Sequence, residues 1–361
     1  MKPLIKYIGD LLARFQILGT DHSLGSRVEA ETLLNQLVSD RKVPGMAISV
    51  LKDGLLFYQK GFGHARIESD HRIDPESTLF RAASASKPIA ATALAKMIKE
   101  RIIDLDAPFH HYVPYFPKKE YEFTIRQLAS HTAGIRGYKG KEYALNKPYS
   151  IKESLVVFQN DPLLFRPGTA YLYNSFDWVL VSLAMQEASG LPFEAYVKEK
   201  VLNPLGMTKT KPEIPNAEEK DQAWFYTKRK IGFKKAVEVD NRYKLAGGGY
   251  LSTSADLVRL GQSYLDFTFL DPQISSQFLT PSIIDGKSTY YGLGWEVSTH
   301  KEGHPYFGHT GNSIGGYSNF YVYPENKMVV AILINCTDPK IQHLLDHIIS
   351  IWLGKNTRAE P

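Results

Sequence analysis

Cysteine is nearly missing from this chain: one residue, Cys336, among 361. A lone thiol can form no intrachain disulfide, so the fold must be held by its core. Cys336 follows the apolar run 329–334 and reads as a buried structural thiol. With no clear secretion signal at the start, it favours a reducing, cytoplasmic compartment. Long hydrophobic runs are missing as well. No window approaches the roughly eighteen apolar residues that a membrane span requires, so none is expected. Charge of one sign is also lacking, with 43 Lys and Arg against 38 Asp and Glu. The one basic cluster, Lys228 to Lys230 with Lys234 and Lys235, reads as a solvated loop or hairpin. No nucleic-acid motif accompanies it. His110 and His111 are adjacent and lack the spacing of zinc ligands, and there is no His-Glu-x-x-His. Phosphate-cradling glycine motifs, internal repeats and low-complexity tracts are absent. No metal and no cofactor is implied.

What is present is a globular chain, 43% apolar or aromatic, large enough for two closely joined lobes. Residues 1–24 form an amphipathic extension, with Leu4, Ile5, Ile8, Leu11, Leu12 and Phe15 at helical spacing. That helix packs on the protein itself or meets a partner, a second copy or a membrane surface. Ser26 and Glu29 make a capping box for a helix through about residue 38. Asp53-Gly54 between two apolar runs signals a hairpin. Helical patterns dominate the middle, including 177–188 stopped by Gly190. Strands return at 307–309, 317–323 and 328–335, and an amphipathic helix spans 340–352. The fold class is α/β: one antiparallel sheet flanked by helices and built from both chain ends. Residues 25–80 and 285–361 form that lobe, and 81–284 form an inserted, mainly helical lobe.

Ser84 and Lys87 stand three residues apart where a helix begins, because Pro88 fits only a first turn. Both therefore face one side, and a hydroxyl beside an amine is a nucleophile beside its proton acceptor. The spacing alone is weak, since Ser39 and Lys42 repeat it at a polar helix end. Gly311-Asn-Ser313-Ile-Gly315 matches a rival nucleophile elbow. That elbow needs a following helix, and 316–323 alternates like a strand.

Further stretches accompany the Ser84 motif in a fixed order. They include Val43-Pro-Gly-Met-Ala-Ile-Ser49, Phe80-Arg-Ala-Ala-Ser-Ala-Ser-Lys87 and Thr124-Ile-Arg-Gln-Leu-Ala-Ser-His-Thr-Ala-Gly-Ile135. Pro167-Gly with Tyr173, Asn203-Pro-Leu-Gly-Met207, Ala246-Gly-Gly-Gly-Tyr-Leu-Ser-Thr253, Tyr291-Gly-Leu-Gly-Trp295 and His309-Thr-Gly311 continue it. Over residues 40–352 the chain resembles the class C β-lactamase-like serine hydrolases. That family takes in penicillin-binding proteins, D-amino-acid peptidases, carboxylesterases of this fold and the animal β-lactamase-like protease.

The resemblance implies a β-lactamase/transpeptidase-like fold and an acyl-enzyme on Ser84. Lys87 would help deprotonate Ser84, and Tyr173 would act with it as general base. His309 would open the family's Lys/His-Thr-Gly element, followed by Thr310 and Gly311 beside the substrate. The backbone N–H groups of Ser84 and Asn312 would form the oxyanion hole. Where the family has Tyr-x-Asn, this chain has Tyr173-Asn174-Ser175. Either Ser175 stands in for the amide, or a one-residue shift brings in Asn174; Tyr171 is then the alternative tyrosine. His131 is expected to be structural, bonding a loop carbonyl. Histidine at 309 removes a fixed cation, so the site should depend less on a substrate carboxylate, and esters, amides or peptides are expected ahead of β-lactams. β-Lactamase or D,D-peptidase activity and a non-catalytic scaffold are the other readings. Loops 136–149, 208–245 and 283–290 are expected to shape the pocket.

Overall fold

The computed structural model describes residues 22–215 and 219–354. The amphipathic extension read at 1–24 therefore lies almost wholly outside the described residues. The first helix, α1 (His22–Ser39), starts ahead of the Ser26–Glu29 capping box. It leads to the hairpin β1 (Gly45–Lys52) and β2 (Leu55–Arg66), turned by Asp53 and Gly54, both with positive φ. Gly takes that backbone without a Cβ penalty, and Asp is among the residues that tolerate it.

The sheet draws its other long strands from the far end of the chain. With β3 (His71–Arg72), β4 (Glu296–Thr299), β5 (Pro305–Ser313), β6 (Gly316–Tyr323) and β7 (Met328–Ile334), the order is β4-β5-β6-β7-β1-β2-β3. Every neighbouring pair is antiparallel, and β1 pairs with β7 from Met46–Ile334 to Lys52–Met328. Alternation assigns the two faces. Met46, Ile48, Val50, Val330 and Ile332 pack with Leu345, Ile348 and Trp352 of the terminal helix Gln342–Leu353. Ala47, Val329, Ala331 and Leu333 join the larger core, which continues into the helical part of the chain. Both faces are covered, which is why β7 reads as an unbroken apolar run.

The Ser84 region enters that larger core. A 3-10 turn, Ala83–Ala85, runs into α2 (Ser86–Lys99), whose residues 86 to 95 are all buried. Pro88 sits in its first turn, where a missing N–H is harmless. Two more helices hold the site: α3 (Ile125–Ala129) and α4 (Phe176–Ser189). A complete capping box between Thr124 and Gln127 starts α3, and Gly190 in the left-handed region ends α4. The basic cluster forms a small hairpin, Tyr226–Lys228 against Phe233–Lys235. Among the described residues no helix is long and apolar enough to cross a membrane.

Candidate active site

Ala83 carries φ +50°, an uncommon backbone for a residue with a Cβ, and so turns the chain sharply ahead of Ser84. Ser84 is left half-buried at the surface of a cleft while Lys87 is fully buried beneath it. β5 lies close over this turn because residue 311 is glycine. A Cβ there would come within 2.7 Å of the Ala82 carbonyl oxygen and 2.2 Å of Ser318 Oγ.

Lys87 Nζ donates to Ser84 Oγ at 3.1 Å, to Tyr173 Oη at 2.7 Å and to the Gly247 carbonyl at 2.8 Å. Tyr173 Oη in turn donates to Ser84 Oγ at 2.7 Å. The three side chains thus form a closed triangle. Burial lowers the Lys87 pKa to about 7; Glu296 opposes that fall and Lys244 adds to it. Burial pushes the Tyr173 phenol far upward, with Ser84 opposing, so this tyrosine stays protonated at neutral pH.

Tyr173 is positioned by a strap, residues 163–175, that hydrogen-bonds to the turn at 131–135. Leu164 N, Gly168 N and Leu172 N donate to the carbonyls of Gly134, Thr132 and His131 at 2.8, 2.8 and 2.9 Å. Asn174 is turned inward, donating to the Ile135 carbonyl at 3.1 Å and to Asp177 at 2.6 Å. It is a buried brace and touches neither Ser84 nor Lys87. Tyr171 lines the cleft without reaching the triangle. Ser175 is not among the partners of Lys87, where the Gly247 carbonyl stands instead. A serine side chain lacks the reach of an amide, and Ser175 lines a neighbouring cleft.

His131 departs from its expected partner. Its side chain meets the Asp177 carboxyl, Nδ1 to Oδ2 at 2.8 Å, and not a loop carbonyl. Both groups are buried, which holds the imidazole neutral and pushes the carboxyl upward. The His131 ring lies 4.6 Å from the Tyr173 ring and 4.8 Å from the Tyr291 ring, forming the wall behind the triangle.

His309 is buried in β5. Its Nδ1 lies 2.7 Å from its neighbour's carbonyl, Thr310 O, and Tyr291 Oη lies 3.0 Å from Nε2. That pairing assigns the neutral Nδ1–H tautomer, with the tyrosine donating to Nε2. Burial and the Lys87 charge lower its pKa to about 3, so it carries no charge at neutral pH. Thr310 N donates to Glu296 Oε2 at 3.1 Å, away from β6. The alternation of an antiparallel ladder gives Asn312 N the same outward direction. Asn312 and Ser84 both line the two clefts, which meet at Ser84. Ser313 bonds its own turn, donating to Gly316 O, and the following residues form β6, so no nucleophile elbow exists there.

Glu296 was not singled out from the sequence. It follows Trp295 at the start of β4, and only the β4–β5 register carries it to Thr310 and His309. Burial raises its pKa to about 7 even though Thr310 donates to it from N and Oγ1. The clefts have volumes of about 430 Å³ on the Glu296 side and about 230 Å³ on the Ser175 side. The expected pocket loops contribute Tyr138, Tyr143, Lys244, Thr289 and Tyr290.

A protein-family model described as Beta-lactamase matches residues 30–349. The human Serine beta-lactamase-like protein LACTB, mitochondrial, is 29% identical over an alignment covering 81% of this chain and 71% of that protein. The octameric penicillin-binding protein homologue from Pyrococcus abyssi superposes with a TM-score of 0.80 at 26% identity, covering 92% of this chain and 78% of that one. The D-amino acid amidase from Ochrobactrum anthropi SV3, solved with L-phenylalanine, gives 0.78 at 19% identity over 89% of this chain and 97% of that one, a likeness of fold.

Proposed function

The chain belongs to the Beta-lactamase family, a family of serine hydrolases, and on that premise we propose that it hydrolyses an ester or amide through an acyl-enzyme on Ser84. The observation that carries this is the Ser84–Lys87–Tyr173 triangle, with burial bringing Lys87 to a pKa of about 7. A base serves best when its pKa lies near the working pH. Tyr173 keeps its proton, so Lys87 is the group that takes one. Neutral Lys87 accepts the Ser84 proton as Oγ attacks the carbonyl carbon. The Ser84 and Asn312 N–H groups receive the oxyanion, a contribution of about 3–4 kcal/mol for each well-placed donor. Lys87, now charged, returns the proton through the Tyr173 hydroxyl to the leaving alcohol or amine. Water then attacks the acyl carbon by the same route in reverse, giving the acid and free Ser84.

Neutral His309 favours esters, amides or peptides over β-lactams, because the site offers no fixed cation at that position for a substrate carboxylate. The amide-hydrolysing O. anthropi neighbour shares the fold and lends the same direction. The octamer of the P. abyssi homologue supports a homo-oligomer, which light scattering on the full chain reads directly.

Labelling with a neutral fluorophosphonate, followed by mass mapping of the modified peptide, tests the nucleophile. Modification of Ser84 that Lys87→Ala removes is the expected result. A folded chain that takes no label would favour the scaffolding reading, and a label on Ser313 would overturn the assignment.

A further inference from the structure

The larger cleft beside Ser84 has a composition that catalysis does not require. Five of its lining residues are tyrosines, and the one acidic lining residue is Glu296. Both hydrogen bonds that Thr310 gives this carboxyl end on Oε2. Among the described residues its one ion-pairing neighbour is His309, at 3.3 Å from Oε1. His309 is held neutral, and the Lys87 amine hydrogen-bonds to Ser84, Tyr173 and Gly247, not to this carboxyl. Among the described residues no lysine or arginine pairs with this carboxylate, which feels the Lys87 charge only through space, although its side chain is only 28% exposed. A carboxylate so placed is costly when ionised, and burial accordingly raises its pKa.

The rings around it are suited to the charge it lacks. Tyr171, Tyr290 and Tyr306 line the same cleft, and Tyr290 is 64% exposed at its mouth. Burial, reinforced by the Glu296 charge, raises the phenol pKa values of Tyr171 and Tyr306, so both rings stay neutral. Neutral tyrosine faces attract a cation through their quadrupoles, and a carboxylate adds the direct charge. The smaller cleft has the opposite character, since Lys244 lines it beside Tyr138 and Tyr143. A positive group is repelled there and drawn to the Glu296 side.

The geometry points to a binding site for a cationic head: the cleft of Glu296, Tyr171, Tyr290 and Tyr306 receives an ammonium group carried by the substrate. This rests on the reading of Ser84 as nucleophile, because it gives the substrate of that nucleophile a positive end. The reacting carbonyl then lies at the junction of the clefts, over Ser84 and Asn312, with the ammonium toward β4 and the remainder toward Lys244.

Calorimetric titration of the full chain tests the site without turnover. Butyltrimethylammonium is the cationic probe and 3,3-dimethylbutanol the uncharged one of similar shape. The expected result is binding of the cation about tenfold or more tighter than the alcohol, with that preference lost in Glu296→Gln. Tyr290→Leu, at an exposed ring that the fold does not need, should weaken the cation by about threefold and leave the alcohol unchanged. Equal affinity for the two probes, or an undiminished cation preference in Glu296→Gln, overturns the proposal. A failed titration with Ser84 still labelled by fluorophosphonate removes only the cation site. Cation binding by a chain that takes no label keeps the site and removes the hydrolase.

Discussion

Ser39 and Lys42 share the spacing of Ser84 and Lys87 and none of their surroundings. Ser39 is exposed at the end of α1, where its hydroxyl donates to the Gln36 carbonyl of its own helix. Lys42 is exposed in the turn that follows. Ser84 and Lys87 instead open a buried helix, under a strand allowed close by Gly311 and beside a tyrosine strapped to the His131 turn. Identical spacing yields a solvated helix end in one place and a lysine near pKa 7 in the other. Spacing brings two side chains to one face; the loss of water around the amine is what makes it a base.

Substitutions made in both pairs bear on that contrast. Ser84→Ala is expected to abolish labelling and hydrolysis without lowering the melting temperature, while Ser39→Ala changes neither; loss of activity in the latter would break the comparison. Lys87→Ala should cost about 10³–10⁴-fold in kcat/KM and Lys42→Ala nothing measurable in the same assay. Tyr173→Phe removes the proton relay and keeps the ring, so about a 100-fold loss in kcat is expected, with KM little changed. Tyr115→Phe, at a surface tyrosine that donates to Glu187 and lines neither cleft, serves as its control. The smallest effect is a shift along the pH axis. Activity needs neutral Lys87, so it rises as pH climbs through about 7. The Glu296 charge holds the Lys87 pKa up, so Glu296→Gln should move the rise to lower pH. A move to higher pH would contradict the electrostatics.

The sheet drawn from both chain ends was legible because the Asp53-Gly54 hairpin and the alternation after residue 307 are local signals. Ser84, Lys87 and Tyr173 were legible through short motifs, and the fold brings them within 3.1 Å of one another. The choice between Ser175 and Asn174 was not, since it depends on how the strap lies against the 131–135 turn. Asn174 faces inward to Asp177, and a backbone carbonyl at Gly247 meets the lysine. His131 and Asp177 are 46 residues apart and meet only when α3 packs on α4, so no local pattern announces their contact. Glu296 was hidden for a similar reason. A glutamate opening an edge strand ordinarily faces water, and strand register alone sets it under Thr310 in the cleft of Ser84. Its signal in the sequence was adjacency to the Tyr291-Gly-Leu-Gly-Trp295 stretch.

The central claim is that a neutral Lys87 activates Ser84, and the rate of Ser84 acylation by a neutral fluorophosphonate, followed from about pH 5 to about pH 9, tests it most directly. A single rise with a midpoint near 7, absent in Lys87→Ala, is expected. A flat profile, or a rise that survives the loss of Lys87, would contradict it.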